Sequence, residues 1–385
     1  MKLVGIFTVL DVYNYGTKLQ AYAMQEIFRQ RGYETEIVLY EKKPLYKKIV
    51  DKIVQFLFPK LFQDIKHQRY IRRNYNNISI ELMDNLKQRL KAFDGFNTLY
   101  KGRYIINEYM IRKHSKKYSV AVCGSDQIWH PILNRNKFWT LQLVENGIRR
   151  VSYAPSLGVE EIPKEVSSFY KKVLNSIDYI SVREESGAKL LQELTLKPVH
   201  VVLDPTLLVG KRVWDKMLVE KQDLTNKNYC LCYLLGTNPV NRKITSEISK
   251  ILGLTIYNFA NFKEYNIADE DLEGEHLYDV CPREFIGLIS KAKFVVTDSF
   301  HCSAFSIMYH VPFLTLLRFS SDDRLSTNSR IYSLLSQLGL ESRVFSNDSD
   351  LNEIILKDID FEEVDNILLK KRNESNLFLD QALQN

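Results

Sequence analysis

The sequence predicts an α/β protein whose two similar halves face each other across a ligand cleft. The first 40 residues read strand, helix, strand, the βαβ unit of a parallel sheet. The same alternation restarts near residue 229, after a break in the pattern. Polar turns at Asn14, Gly124, Arg183 and His301 close apolar runs in both halves, and open parallel sheets hold ligands beyond the carboxyl ends of their strands. A chain of 385 residues also exceeds one ordinary core. The expected division is a first half over 1–208 with a basic helical insertion at about 44–115, a second half over 209–360, and an amphipathic helix over 361–385.

Residues 2–10 are apolar and β-branched, a strand, and precede a helix in which Leu19, Tyr22, Ala23, Ile27 and Phe28 recur at helical spacing until Gly32. Residues 36–40 are the second strand. The first turn has neither a G-x-G-x-x-G fingerprint nor a P-loop, but Asn14, Tyr15 and Gly16 offer backbone donors and an aromatic wall at the helix start. Residues 44–115 read as a helical, basic, tyrosine-rich excursion from the sheet, which the chain rejoins at 118–123. That strand ends in GSDQIWHP. Gly124 permits a tight turn, Ser125, Asp126 and Gln127 supply polar groups, and Trp129 a flat apolar face suited to a sugar ring. Residues 150–154 are another strand, as are 179–182, which end at Arg183. An arginine there is either a bidentate grip for carboxylate or phosphate or one half of a surface salt bridge. Residues 199–203, closed by Asp204 and Pro205, complete this half.

In the second half, strands at 229–234 and 254–257 flank a helix at 241–251, and an acid-rich loop leads to a helix begun by Pro282 with Glu284. The apolar run 294–296 stops at Thr297, Asp298 and Ser299, and a helical pattern starts near His301. Those three polar residues are either plain N-caps or the rim of an anion site at a helix N-terminus, where His301 can move a proton. Residues 312–316, a polar loop, a helix at 331–338 and the amphipathic tail at 361–383 follow.

Composition narrows the class. Apolar residues make up 45% and charged ones 26%, the balance of a soluble globular protein, and no run of 18 apolar residues occurs. The N-terminal apolar stretch is broken by Asp11, too soon for a secretory signal, so a cytoplasmic location is expected. The five cysteines are odd in number and form no C-x-x-C pair, which predicts reduced, buried thiols and no zinc site. Cys302 is the one to watch, because it follows His301. Between residues 41 and 75 ten Lys/Arg meet three acids, which accounts for the whole net charge of +6. Ile49, Ile53, Phe56 and Leu57 keep helical spacing there, so residues 42–73 are read either as a peripheral contact with an anionic membrane surface or as a solvated helix packed on its own domain. No motif supports a nucleic-acid partner.

Seven segments, NYGTKLQAYAMQ, VCGSDQIWHP, VSYAPSLG, ISVREESG, VVLDPTLL, VVTDSFHCSAFS and NSRIYSLL, in this order and at these separations, resemble the polysaccharide pyruvyl transferase family. The resemblance spans residue 1 to about 340. It implies a GT-B-like fold of two Rossmann-like domains and transfer of pyruvate from phosphoenolpyruvate onto paired hydroxyls of a surface-polysaccharide sugar or its lipid-linked precursor, as a cyclic ketal. It further implies His301 as acid/base and Arg183 as the hold on the donor's carboxylate or phosphate. Taken with the strand-end turns, this puts Ser299, Phe300, Arg330, Asn14 and Gly16 around the donor and Ser125, Asp126, Gln127, Trp129 and Tyr153 around the acceptor. Phosphoenolpyruvate is then a co-substrate, and neither a metal nor a further cofactor is expected. Two departures stand out. Many members have Arg-Leu-His where this chain has Ser299, Phe300 and His301, leaving Arg330 to restore the charge, and many carry an acid where this chain has Thr17. The competing expectations are a GT-B-like glycosyltransferase using a nucleotide sugar and a noncatalytic sugar-binding scaffold.

Overall fold

Strands buried on both faces need unbroken apolar runs, and the chain supplies them twice. The computed structural model describes residues 2–10, 12–40, 53, 54, 56–74, 78–105, 107–225, 227–259, 267–270, 272–319, 326–346 and 350–384. The first sheet is parallel, in the order β3-β2-β1-β4-β5: β1 Leu3–Phe7, β2 Glu34–Tyr40, β3 Gly102–Ile105, β4 Val120–Cys123 and β5 Arg149–Ser152. A two-stranded sheet, β6 Ile180–Val182 and β7 Val199–Val201, is hitched to it by the bridge between Val151 and Tyr179. The second sheet repeats the order as β10-β9-β8-β11-β12: β8 Tyr229–Tyr233, β9 Thr255–Asn258, β10 Glu275–His276, β11 Phe294–Thr297 and β12 Phe313–Thr315. Each is a doubly wound, Rossmann-like sheet, and the pair gives the GT-B-like architecture. The chain runs outward through three strands and returns to place its fourth beside its first, so each sheet has one switch point, between β1 and β4 and between β8 and β11.

The helices named below are α1 Tyr15–Arg29, α2 Pro59–Asn74, α3 Ile80–Phe96, α4 Lys164–Ser176, α5 Glu185–Gln192, α6 Pro205–Leu208, α7 Pro239–Leu252, α8 Pro282–Lys291, α9 Phe300–Met308, α10 Ser329–Ser336 and α11 Phe361–Leu383. Asn14 starts α1 by accepting the Thr17 N–H at 3.0 Å, which satisfies one of the unpaired amides of the first turn. Burial then joins the halves. Tyr15 stacks on Phe285 of α8 with ring centroids 4.3 Å apart, and its hydroxyl donates to the Val280 carbonyl at 3.0 Å. Trp214, which meets Phe305 of α9 edge-on at 5.1 Å, also packs its ring 6.0 Å from that of Tyr22 in α1. One hydrophobic cluster therefore contains Val4 and Ile6 of the first sheet together with Leu231 and Val295 of the second. The tail helix α11 returns to the first half, where the Ser375 hydroxyl accepts the Leu203 N–H at 2.9 Å and Arg372 Nε donates to the Leu207 carbonyl at 2.9 Å.

The expected helical excursion over 44–115 differs in one respect: β3 lies inside it and pairs with β2 as the sheet's edge strand. Its sequence, GRYI, is four residues long and opens on glycine, too little to stand out from its helical surroundings. Likewise β10, two residues long, is formed in what reads as an acid-rich loop. Of the basic segment, residues 41–52 and 55 lie outside the described residues.

Candidate functional site

The two switch points meet. Asn14 and Gly16 follow β1 and residues 124–127 follow β4, while Asp298 and His301 follow β11 of the facing sheet. Gly16, in the first turn of α1, gives His301 its seat: a Cβ there would overlap Nδ1 and Cγ of the imidazole. Gly16→Ala is therefore expected to keep the fold, alanine being the better helix former, and to displace the ring; on the reading of His301 as the acid/base residue, that displacement cuts turnover about 100-fold, the usual effect of misplacing a reacting group by about 1 Å. Initial rates beside thermal unfolding curves check this, and an unchanged rate in a folded variant contradicts it.

His301 is buried and sits in the first turn of α9, which is capped by the Ser299 hydroxyl accepting the Cys302 N–H at 3.4 Å. Its Nε2 lies 3.8 Å from Asp204 Oδ1, within ion-pair range yet too long for a hydrogen bond, and has no hydrogen-bond partner among the described residues. Burial lowers the imidazole pKa from its ordinary value; the carboxylates of Asp204 and Asp126 oppose that, and the charges of Arg183 and Arg330 add to it.

Asp204 is the hinge of the arrangement. It caps α6 through Oδ1, which accepts the Thr206 N–H at 3.0 Å and its hydroxyl at 2.7 Å. Oδ2 accepts from Ser125 Oγ and from Arg183 Nη1, both at 2.9 Å. Burial alone would raise its pKa, but the neighbouring charges of His301 and Arg183, with the Thr206 hydrogen bonds, outweigh it and hold the carboxyl below its usual range. Arg183, at the end of β6, is fully enclosed. Nε reaches Glu184 Oε1 at 3.2 Å, the guanidinium lies 4.2 Å from the centre of the Phe300 ring, and Nη2 has no hydrogen-bond partner among the described residues. The expected bidentate fork is thus partly occupied by the protein's own carboxylates, and Nη2 alone is left to meet a ligand.

The β4 turn brings in the third part. Gly124 has φ of +136°, and a Cβ there would overlap the Tyr153 carbonyl, so the turn requires glycine. Asp126 Oδ2 accepts the Thr17 hydroxyl at 2.7 Å and Oδ1 the Gln127 N–H at 2.8 Å. Thr17 thereby holds the Asp126 carboxylate in place. The Gln127 side-chain amide borders Gly158 and has no partner for its Nε2 among the described residues, and Thr327 borders the same glycine. Thr327 in turn accepts from Arg330, through its carbonyl at 3.2 Å and its hydroxyl at 2.9 Å. Arg330 is buried with no ion pair among the described residues; burial, then the charges of Arg183 and Arg318, pull it down to about 9. Helix α10, which carries Arg330, docks beside Arg183 through Gln337 Nε2 donating to the Arg183 carbonyl at 3.3 Å.

A pattern follows from these contacts. The carboxylate oxygens of Asp204 and Asp126 are occupied by hydroxyls, amides and Arg183. Among the unengaged buried groups are three nitrogens of this site: Arg183 Nη2, His301 Nε2 and Gln127 Nε2. Buried donors without partners are costly, and a ligand rich in acceptor oxygens satisfies them.

Some sequence expectations need correction. Trp129 and Tyr153 are core residues, 1% and 0% exposed. The indole N–H of Trp129 donates to the Trp139 carbonyl at 3.2 Å and the Tyr153 hydroxyl to the Leu203 carbonyl at 2.9 Å, so neither offers a face to a sugar ring. The Ser125 hydroxyl is held by Asp204 and the Ala154 carbonyl. Cys302 is an inert thiol, pushed up to about 12 chiefly by burial. Asp298 is structural: its two carboxylate oxygens accept the Leu235 and Gly236 N–H groups, each at 2.7 Å. The residue missed as a participant was Asp204, which in sequence is only the polar end of an apolar run, although it lies within the shared VVLDPTLL segment.

Residues 14–318 match the family model described as polysaccharide pyruvyl transferase. The chain belongs to that family. The family's reaction class is transfer of a pyruvyl group to polysaccharide, and the matched span includes the turns after β1, β4 and β11 and every site residue named here except Thr327, Arg330 and Gln337. No curated protein sequence matches the chain. Among solved structures it is similar to the S. aureus MnaA–UDP co-structure, at 12% identity and a TM-score of 0.49 over 97% of this chain and 90% of that one. It is also similar to UDP-GlcNAc 2-epimerase from Neisseria meningitidis bound to UDP-GlcNAc, at 11% and 0.47 over 100% of both chains. An alpha-glucosyltransferase in complex with UDP gives 10% and 0.48 over 99% and 96%. Such likeness carries nothing about substrate. The Ser299 hydroxyl caps α9, and a second arginine, Arg330 from α10, is buried near Arg183.

Proposed function

We propose that this pyruvyl transferase takes pyruvate from phosphoenolpyruvate and joins it to two hydroxyls of one sugar as a cyclic ketal, on a surface polysaccharide or its lipid-linked precursor. The observation that supports this reading is the set of unengaged buried nitrogens on Arg183, His301 and Gln127, with Arg330 beside them free of any ion pair among the described residues. A small polyanion with both carboxylate and phosphate oxygens suits such a set.

The imidazolium of His301 gives its proton to the enol methylene, leaving a cation at the adjacent carbon that its oxygen stabilises. A sugar hydroxyl attacks that carbon and returns its proton to the imidazole. The C–O bond to phosphate then breaks, Arg183 and Arg330 balancing the charge on the departing group. The second hydroxyl closes the ring and its proton leaves with the phosphate. Asp204 keeps the cycle in one geometry, since it neighbours His301 and binds Arg183 at the same time.

The test is incubation with phosphoenolpyruvate and lipid-linked or free oligosaccharides, following inorganic phosphate and the acceptor's mass. Acceptor-dependent phosphate release with addition of a pyruvate ketal is expected. Turnover of a nucleotide sugar instead, or acceptor binding without turnover of any donor, overturns the reading.

A further inference from the structure

The first half presents a row of large apolar side chains beside a basic helix. Phe56, Leu57, Phe58 and Leu61 are 85, 58, 57 and 52% exposed. Single exposed apolar side chains are ordinary, but a run of four this close together makes a patch. Helix α2, which follows the patch and carries Leu61, is anchored to the domain by other residues. His67 Nε2 bonds Asp94 Oδ2 of α3 at 2.8 Å, Ile71 enters the core, and the Tyr70 ring meets Tyr13 edge-on at 4.9 Å. With positions 67, 70 and 71 turned inward, Lys60, Arg69, Arg72 and Arg73 are exposed, and among the described residues none of these four pairs with a carboxylate.

We propose that this surface docks the protein on an anionic lipid bilayer. The aromatic and leucine side chains enter the boundary between headgroups and acyl chains, and the four cations lie against lipid phosphates. The combination selects this occupant. A second copy of the chain meeting the patch across a twofold axis would set these cations against their own images, whereas a negatively charged surface complements both parts at once. The docked helix touches Tyr13, next in the chain to Asn14, so the cleft would lie close to the membrane that bears a lipid-linked acceptor. The docking itself rests on the exposed surface and is independent of the donor chemistry.

The experiment is co-sedimentation of the full chain with vesicles of phosphatidylcholine alone and of phosphatidylcholine with phosphatidylglycerol, at low and high salt. Binding to the anionic vesicles only is expected, falling tenfold or more as the screening length shrinks from about 10 Å to about 3 Å. Arg69→Glu with Arg72→Glu, and separately Phe56→Ser with Phe58→Ser, should each lower the partition coefficient by roughly an order of magnitude or more, with circular dichroism and thermal unfolding unchanged. Equal binding to neutral vesicles, salt-insensitive binding, no binding, or a dimer in solution that the serine variant abolishes overturns the proposal. Because the readout is sedimentation rather than turnover, its failure is separable from failure of the pyruvyl-transfer reading.

Discussion

Replacing His301 with alanine is expected to lower pyruvyl transfer by about 100- to 10,000-fold, the ordinary contribution of a positioned acid-base group, while donor binding changes only a few-fold. The pH dependence gives the test its sign. Burial depresses the imidazole pKa in the free protein, so the ring is neutral at neutral pH. Protonating the enol methylene needs the imidazolium, whose fraction grows as pH falls through the depressed pKa. Consequently kcat/KM should climb on the acid side of neutrality. In the donor complex the added negative charge favours the imidazolium, and the matching limb of kcat should lie at higher pH. Asp204→Asn removes a carboxylate that raises the pKa of His301 and should move the limb to lower pH. Phosphate release measured from mildly acidic to mildly alkaline pH checks all three statements. A wild-type rate for His301→Ala, or a profile that Asp204→Asn leaves in place, would remove His301 from the chemistry.

How far this was legible in the sequence depended on whether a residue's role is set locally. The parallel strands announce themselves as apolar runs because both faces are covered, and the turns after β1, β4, β6 and β11 stand at strand ends whatever else the chain does. His301 and Arg183 were therefore visible. Trp129 and Tyr153 were misread because an aromatic after a strand looks the same whether its ring meets a sugar or a core, and only the packing of Leu203, Trp139 and α11 around them decides it. Asp204 was passed over for the opposite reason. The Asp-Pro-Thr sequence is fully explained as a helix cap, and its second duty arises only when β6 and β7 lie side by side and bring Arg183 against it. The service of Gly16 to His301 was likewise beyond sequence reading, since it depends on how two halves dock. Short edge strands such as β3 escape for want of enough residues to show a period.

Arg183 should yield the largest combined loss of stability and function, and two substitutions separate the two. In Arg183→Ala the carboxylates of Glu184 and Asp204, almost wholly buried, lose their common cation. Breaking a buried pair from one side costs about 3–5 kcal/mol, so the melting temperature should drop by several degrees or the chain fail to accumulate. Arg183→Lys retains the charge and most of the fold, but a single ammonium cannot satisfy Glu184 and Asp204, stack on Phe300 and still present a donor to the ligand. That variant is expected to be folded, with the donor KM raised tenfold or more and phosphate release nearly abolished. Acid sensitivity is a further consequence. The Asp204 carboxyl is held below its usual range in the folded state, so the pair contributes stability that is present above the unfolded value of about 3.9 and is lost as pH falls through the lower folded value. Thermal unfolding followed below about pH 4 should show a shallower decline in the lysine variant than in the parent, because less of that stabilisation remains to be lost. If Arg183→Lys transfers pyruvate with an unchanged donor KM, then Nη2 is not a ligand contact and the anion must be held by Arg330 and the turn at Gln127 alone.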